Sequence, residues 1–463
     1  QQEVTLEREA FDAMMRINNG FTELPLTEVG ITVNFADAEG NAITATTDGS
    51  NTNAMFFIRE DTRANIDNTT SGTVAPGQTA EIHWLIIPAP GAGGSNALGQ
   101  VYFVGADLTY TLRDQVTEMA VVPDRITVKP MPRLTLDYFL PDQVYGDDPF
   151  TAPIEAPIPY NLGLRVKNDG YGPAWKLKVE SAQPRIIQND LGLLIGFEIT
   201  GSEVGGVAGT RSLLVDFGTV AAGRSGVARW SMTSSLVGEF TQFEAAFTHA
   251  DELGGELTSL IREVRTHTLV HDVRVDLPGR DSIRDFLGRD GAELTLYESE
   301  SQDTTVTNLS LGAVFTPAGS SGDQTYYTLT VPVSAGPLYA GFSYPAGANN
   351  EILSVARGDG KVLPADNAWI SKSRERGTDP WAYQFNLFDV NGGGSYQVTF
   401  DRKYISDDAP PVLAYIGNKV VAEGAQVGFL VEASDPNGTI PSLSAHGVPA
   451  GATFEDHGDG MGT

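Results

Sequence analysis

"GTVAAGRSGVARW" at residues 218–230 and "GTVAPGQTAEIHW" at residues 72–84 agree in register at Gly, Thr, Val, Ala, Gly and Trp. The agreement makes the first two-thirds of the chain a tandem repeat. The flanks extend it, since "RINNGF" at 16–21 precedes the first copy as "VKNDGY" at 166–171 precedes the second. Each repeat is a module of roughly 130–150 residues, the size of one domain. Apolar residues alternate at Phe11, Ala13, Met15 and Ile17 in the first copy, and at Tyr160, Leu162, Leu164 and Val166 in the second. That is the period of a strand with one buried face, and the Asn-Asn-Gly and Asn-Asp-Gly that follow read as turns. Further short strands follow, among them "GITVNF", "AMFFIRE" and "EIHWLII" in the first module and "AWKLKVES", "LLIGFEI" and "FEAAFTHA" in the second. Between them fall 51 Gly and 26 Pro, and no stretch carries a useful 3.6-residue period. The class is all-β, a series of β-sandwiches.

The order of strand, N-x-G turn, strand, G-T-V-x-x-G turn and strand resembles the bacterial cell-adhesion-related (CARDB-like) and related immunoglobulin-like modules, twice over residues 5–275. The resemblance implies tandem immunoglobulin-like β-sandwich domains in an extended rod. In physical terms, Gly77 and Gly223 permit the turns, while Trp84 and Trp230 sit where they fill the gap between two sheets. A Trp is also a candidate for stacking on sugars, but recurrence at one core-like strand position favours packing.

The chain has 463 residues, and 41% of them are hydrophobic, enough for about three packed domains. It carries 59 acidic against 30 basic residues, a net charge of -29, with no Lys/Arg cluster able to track a phosphate backbone. Nucleic acid and anionic membranes are poor partners for such a surface. The absence of cysteine rules out disulfides, thiolate metal sites and a cysteine nucleophile. The opening Gln1 reads as the start of a processed or excised product. The longest apolar runs, such as "LGLLIGF" at 191–197, fall far short of a membrane span.

Module borders are expected near 1–140, 141–275, 276–407 and 408–463. The second module opens on "LPDQVYGDDPFTAPIEAPIPYN" at 140–161, whose five prolines predict a stiff spacer or a sheet edge. The third module has no copy elsewhere. Ile283, Phe286 and Leu287 predict one short helical turn near its start, and "PWAYQFNLFDVNGGGSYQVTFD" at 380–401 predicts a hairpin near its end.

The last segment contains Pro411, "IGNK", Val421, Glu423-Gly424, Phe429, "DPNG" at 435–438 and "VPAGATF" at 448–454. It resembles the bacterial putative-Ig (dystroglycan- and cadherin-like) repeat, which implies an exported multidomain surface protein. That family continues into a closing strand, whereas this sequence stops at Thr463. The expectations are a piece of a longer protein, or a sandwich completed by a neighbour's strand.

The same resemblance implies calcium ligands at Asp407, Asp408, Glu423, Asp435 and Asn437. Ca2+ takes six to eight oxygens of this kind, and the alternative is an Asx turn in which Asp435 bonds its own backbone. His267 and His271 lie on one strand four residues apart, about 13 Å at 3.3 Å per residue, too far to share an ion. His249 could join one of them only through the fold. The carboxylates of "HADELGGE" at 249–256 match "VGADLTYT" at 104–111 across the repeats, so they read as architectural. Neither a nucleophile with its base, a zinc-protease helix nor a phosphate loop stands out. Arg357-Gly358-Asp359 is the integrin-type tripeptide and equally a tight turn. Asn68, Asn308 and Asn437 occupy N-x-Ser/Thr sequons, which predict exposed loops.

These readings predict a non-enzymatic extracellular structural or adhesive protein at the cell surface, its partner a protein or glycan. The alternatives are a filament subunit assembled by strand complementation, or the carbohydrate-binding region of a secreted polysaccharide-degrading enzyme.

Overall fold

A computed structural model describes residues 4–51, 53–147, 156–180, 196–239, 260–374, 379–402, 411–416, 419, 421–422, 424–435, 440–445, 448–449 and 451–463. The protein is all-β, with three single-turn 3-10 helices at Ser310–Gly312, Pro345–Ala348 and Ala365–Asn367 among the described residues.

Besides two two-residue edge strands at Ala42–Ile43 and Ala45–Thr46, the first unit contains β1 (Val4–Leu6), β2 (Phe11–Asn18), β3 (Leu26–Asp37), β4 (Phe56–Ala64), β5 (Gly72–Val74), β6 (Thr79–Pro88), β7 (Gln100–Leu112) and β8 (Gln115–Lys129). One sheet runs β2-β6-β4, the other β1-β8-β7-β3 with β5 beside β3. Inward side chains from both, among them Ile17, Phe35, Phe56, Ile82 and Trp84, form one core.

The second unit repeats the plan with β9 (Leu134–Leu140), β10 (Tyr160–Asn168), β11 (Ala174–Glu180), β12 (Phe197–Val204), β13 (Leu214–Val220), β14 (Ser225–Ser234) and β15 (Ile261–Val273). The registers coincide. Trp84 lies opposite Ala13 and Ala80 opposite Ile17, as Trp230 lies opposite Leu162 and Gly226 opposite Val166. Leu26 meets Val74 as Ala174 meets Val220. Gly77 and Gly223 hold left-handed φ angles of 69° and 67° in matching turns.

One asparagine in each unit fastens the end of its strand. Asn19 Nδ2 donates to Val74 O at 3.1 Å and Asn19 N to Gln78 O at 2.9 Å. Asn168 Nδ2 donates to Val220 O at 3.1 Å and Asn168 N to Arg224 O at 2.9 Å. Asn19, not Asn18, is therefore the counterpart of Asn168. The flanking turns match one residue out of the register that their sequences suggest, because the buried asparagine is fixed by backbone carbonyls and the glycine after it is not.

The border drawn at 140/141 falls behind a strand of the second unit. β9 pairs antiparallel with β10 and parallel with β15, and Leu134, Leu136, Tyr138 and Leu140 enter the second core. The proline-rich stretch thus joins two neighbouring strands of one sheet and does not separate the units. Its described part is an edge, where Gln143–Val144 pairs with Gly238–Glu239. Residues 130–133 make the passage between units and are held from both sides. Glu7 accepts from Gly91 N, Gly93 N and Met131 N, Arg8 donates to Pro132 O, and Asn168 Oδ1 accepts from Arg133 N.

The second border is also bridged. β15 pairs with β9 over Ile261–Thr268 and then with β16 (Asp285–Asp290) over Thr268–Val273. Through β17 (Glu293–Tyr297) and β18 (Asp303–Asn308) the sheet runs on into the third unit. The helical turn predicted across 283–287 is replaced by β16, whose Asp285, Phe286, Leu287 and Gly288 are all buried. Phe286 packs with Phe139 beside Gly163, and Leu287 faces the core containing Phe388 and Val390. A strand covered on both faces loses the alternation that marks strands in sequence.

In the third unit, β19 (Val314–Ser321), β20 (Gln324–Val331), β21 (Pro337–Ser343), β22 (Asn350–Arg357), β23 (Ala368–Ser373), β24 (Ala382–Val390) and β25 (Gly394–Arg402) form two faces. The predicted hairpin does not form. β24 pairs with β21 and β23, while β25 pairs with β20 and β22 in the opposite sheet, so the glycine-rich turn carries the chain across the core. The burial of Phe385 through Val390 on both faces of β24 makes it a central strand. The C-terminal segment contributes Val412–Leu413, Val431–Ser434 and Met461–Gly462 as a small three-stranded sheet.

Candidate functional site

The densest chemistry lies where β9, β10 and β15 meet β16–β18. Arg165 and Asp137 are opposed in register on adjacent strands. Arg165 Nη2 and Nε donate to Asp137 Oδ2 at 2.8 and 3.1 Å, and neither side chain is exposed. Arg165 Nη1 reaches Asp303 Oδ1 at 2.5 Å, and the guanidinium lies 4.9 Å from the Tyr297 ring centre. His267 continues the chain of contacts, with Nδ1 2.9 Å from Asp290 Oδ2 and 3.1 Å from Tyr297 Oη, and Nε2 3.4 Å from Asp137 Oδ1. Burial pushes the imidazole pKa down, but hydrogen bonds and charge from Asp137 and Asp290 outweigh it and hold the pKa above its ordinary value.

A second cluster repeats the device at the other end of the interface. Arg229 Nε donates to Asp272 Oδ1 at 2.7 Å, and Asp272 Oδ2 accepts from Asn161 at 2.8 Å. The Arg229 guanidinium stacks 4.4 Å from the Phe286 ring, and Glu203 binds both Arg229 and Arg284. Nearby, burial above all, with the charges of Glu300, Glu298 and Asp281, lifts the Asp285 carboxyl to about 7 against a bond from Ser299 N. These cations are matched by anions and capped by Phe139, Phe286 and Tyr297. Asp303, Asp290 and Tyr297 complete the bonds of Arg165 and His267 from the side of β16–β18, so the two surfaces share one network.

His267 and His271 do not share a face. The register shifts between Leu269 and His271, a bulge that turns His271 to the opposite side. There it stacks on Trp369 at 4.0 Å, and burial lowers its pKa to about 4. His249 and the "HADELGGE" carboxylates lie outside the described residues.

Four of the five calcium candidates, Asp407, Asp408, Glu423 and Asn437, also lie outside them. Asp435 directly follows the strand Val431–Ser434. Among the described residues no group of three or more His, Asp or Glu is arranged to hold an ion. Among them, too, no helix is long and apolar enough to cross a membrane.

The Arg357-Gly358-Asp359 charges are spent on each other and on the fold. Arg357 pairs with Asp359 at 2.7 Å and with the buried Asp389 at 2.9 Å, and Asp389 also binds Lys361 and Tyr396. The tripeptide is a turn organised around a buried carboxylate. Asn68 and Asn308 both cap turns through Oδ1, to Thr70 N and Ser71 N and to Ser310 N respectively. Asn437 lies outside the described residues.

The buried clusters left little trace in the sequence. Arg165 stands in the alternating pattern as an ordinary outward residue, and only the third unit's hairpins cover it. Neither protein-family models nor curated proteins give a match to this chain.

Proposed function

We propose that the chain is a non-enzymatic structural and adhesive part of an extracellular cell-surface protein, built from tandem immunoglobulin-like units and presenting its ligand surfaces to a protein or glycan. The observation that supports this most is the pairing of β9 with β15. These are the entry and exit strands of the second unit, and they run parallel over Leu134–Leu140. Tension along the chain pulls them in opposite directions along their common axis. The ladder is then loaded in shear, so its bonds yield together and not one at a time, and the Arg165–Asp137–His267 cluster bridges the same strands. The first unit has the same parallel arrangement over only three residues, Val4–Leu6 against Thr127–Lys129.

Pulling single full-length molecules tests the mechanical part. A high-force event releasing the second unit is expected, weakened by Asp137→Ala; unfolding of all units at uniformly low force argues against it. Antibody labelling of unbroken producing cells tests the location, and an interior-only signal would sink it.

A further inference from the structure

The two repeats differ at one place. In the second, β9 closes the flank of the sandwich by lying between β10 and β15. In the first, β1 is paired only with Thr127–Lys129 at the far end of β8, and no described strand pairs with β2 on the side away from β6. A cleft of about 510 Å³ opens along that flank, floored by Phe11, Met15, Val33, Trp84, Val104 and Ile126. Trp230, the counterpart of Trp84, is closed over and donates its indole N–H to Ser212 O at 3.1 Å.

The backbone of β2 is set to accept a strand. The bond from Asn19 N to Gln78 O fixes the hydrogen-bonding parity, so the odd residues of β2 bond to β6. Asp12, Met14, Arg16 and Asn18 turn their N–H and C=O groups to the open side. Their counterparts Gly163, Arg165 and Lys167 lie opposite Phe139, Asp137 and Thr135 of β9. On the facing strand β8, the ladder to β7 shifts register between Val121 and Asp124, and Pro123 there has no N–H to offer an incoming strand, whereas β2 keeps a regular edge.

We propose that the cleft between β2 and β8 is an acceptor for an extended strand supplied by another polypeptide, antiparallel to β2, by β-strand addition. The second repeat displays the chemistry of the occupant. β9 sends Leu134, Leu136, Tyr138 and Leu140 inward and places Asp137 against Arg165. The incoming strand therefore carries apolar residues at every second position, with an acidic residue facing Arg16, the counterpart of Arg165. Arg16 is exposed and, among the described residues, pairs with the half-buried Glu81 at 2.7 Å, so it is open to exchange. This inference stands independently of the adhesive reading, which rests on the second unit.

The test uses the full chain and a synthetic peptide of residues 133–142, which contains β9. Amide exchange is followed residue by residue. The expected result is at least a tenfold slowing at Asp12, Met14, Arg16 and Asn18, with little change at the already bonded Ala13, Met15 and Ile17. Met14→Pro removes an outward N–H from an edge strand, where proline is tolerated, and should abolish binding while the exchange of the β6 amides stays as in the parent. A peptide with Lys in place of Asp137 should bind at least tenfold more weakly, and Arg16→Glu in the protein should reverse that preference. The proposal is overturned if the peptide fails to bind, or if the even amides of β2 are already protected in the free chain. Protection confined to the second unit, or binding indifferent to Met14→Pro, would overturn it equally.

Discussion

Arg165 and Asp137 face each other on neighbouring strands at 2.8 Å, and neither side chain reaches solvent. Removing Asp137 leaves the buried Arg165 with the part-exposed Asp303 as its one carboxylate and takes a partner from His267, whereas removing both members takes out the fully buried ion pair together. Asp137→Ala should cost about 3–5 kcal/mol, and Asp137→Leu combined with Arg165→Met clearly less than the sum of the single changes. Chemical denaturation of the single and double variants gives the coupling, and additive losses would show that the pair is not coupled.

The pH dependence should have limbs of different origin. The raised pKa of His267 favours the charged ring in the fold, so its stabilisation is full below pH 6.5 and lost as pH rises through the raised value. His271, half-buried against Trp369 with its pKa lowered to about 4, acts oppositely: its contribution is present above pH 6.5 and lost as pH falls toward 4. The Asp285 carboxyl, lifted to about 7, favours the fold below pH 3.8 and progressively less as pH rises to 7. Melting temperatures between pH 4 and 9 should show a flatter alkaline limb in His267→Gln and a flatter acid limb in His271→Phe. Asp285→Asn should remove the decline between pH 3.8 and 7.

Asn19 and Asn168 each satisfy buried backbone carbonyls that no solvent replaces. Asn19→Ala and Asn168→Ala should each lose on the order of 2–4 kcal/mol, while Asn18→Ala stays within about 0.5 kcal/mol. Equal sensitivity at Asn18 and Asn19 would argue against the structural register of the repeat.

Gly163 lies beneath Phe286, where an added Cβ would meet the ring at 2.3 Å. The ring is enclosed, so Gly163→Ala should cost about 1–3 kcal/mol by overpacking and loosen the contact between the second and third units. Limited proteolysis between residues 273 and 285 should accelerate in this variant, and an unchanged rate would show that the contact can adapt.

Much of the sandwich plan was legible because it depends on local chemistry. Gly77 and Gly223 announce their left-handed turns, and Trp84 and Trp230 mark equivalent core positions. Strands such as Phe11–Asn18 keep a strict alternation because one face alone is buried. Legibility failed where distant elements decide the environment. Residues 285–288 and 385–390 are covered on both faces, so the type of the first strand and the pairing of the second could not be read from period. The bulge between Leu269 and His271 separates two histidines that regular spacing puts on one face. Arg165 looks like a surface residue until β16–β18 are laid over it.

Because Ile261–Val273 gives its first half to one unit and its second half to the next, these two units are not interchangeable parts. A gene rearrangement that moved either one alone would leave half of that strand without its neighbours. The segment from Leu134 onward into the third unit is thus expected to be inherited whole, whereas the first unit, joined through residues 130–133, can be gained, lost or multiplied by itself.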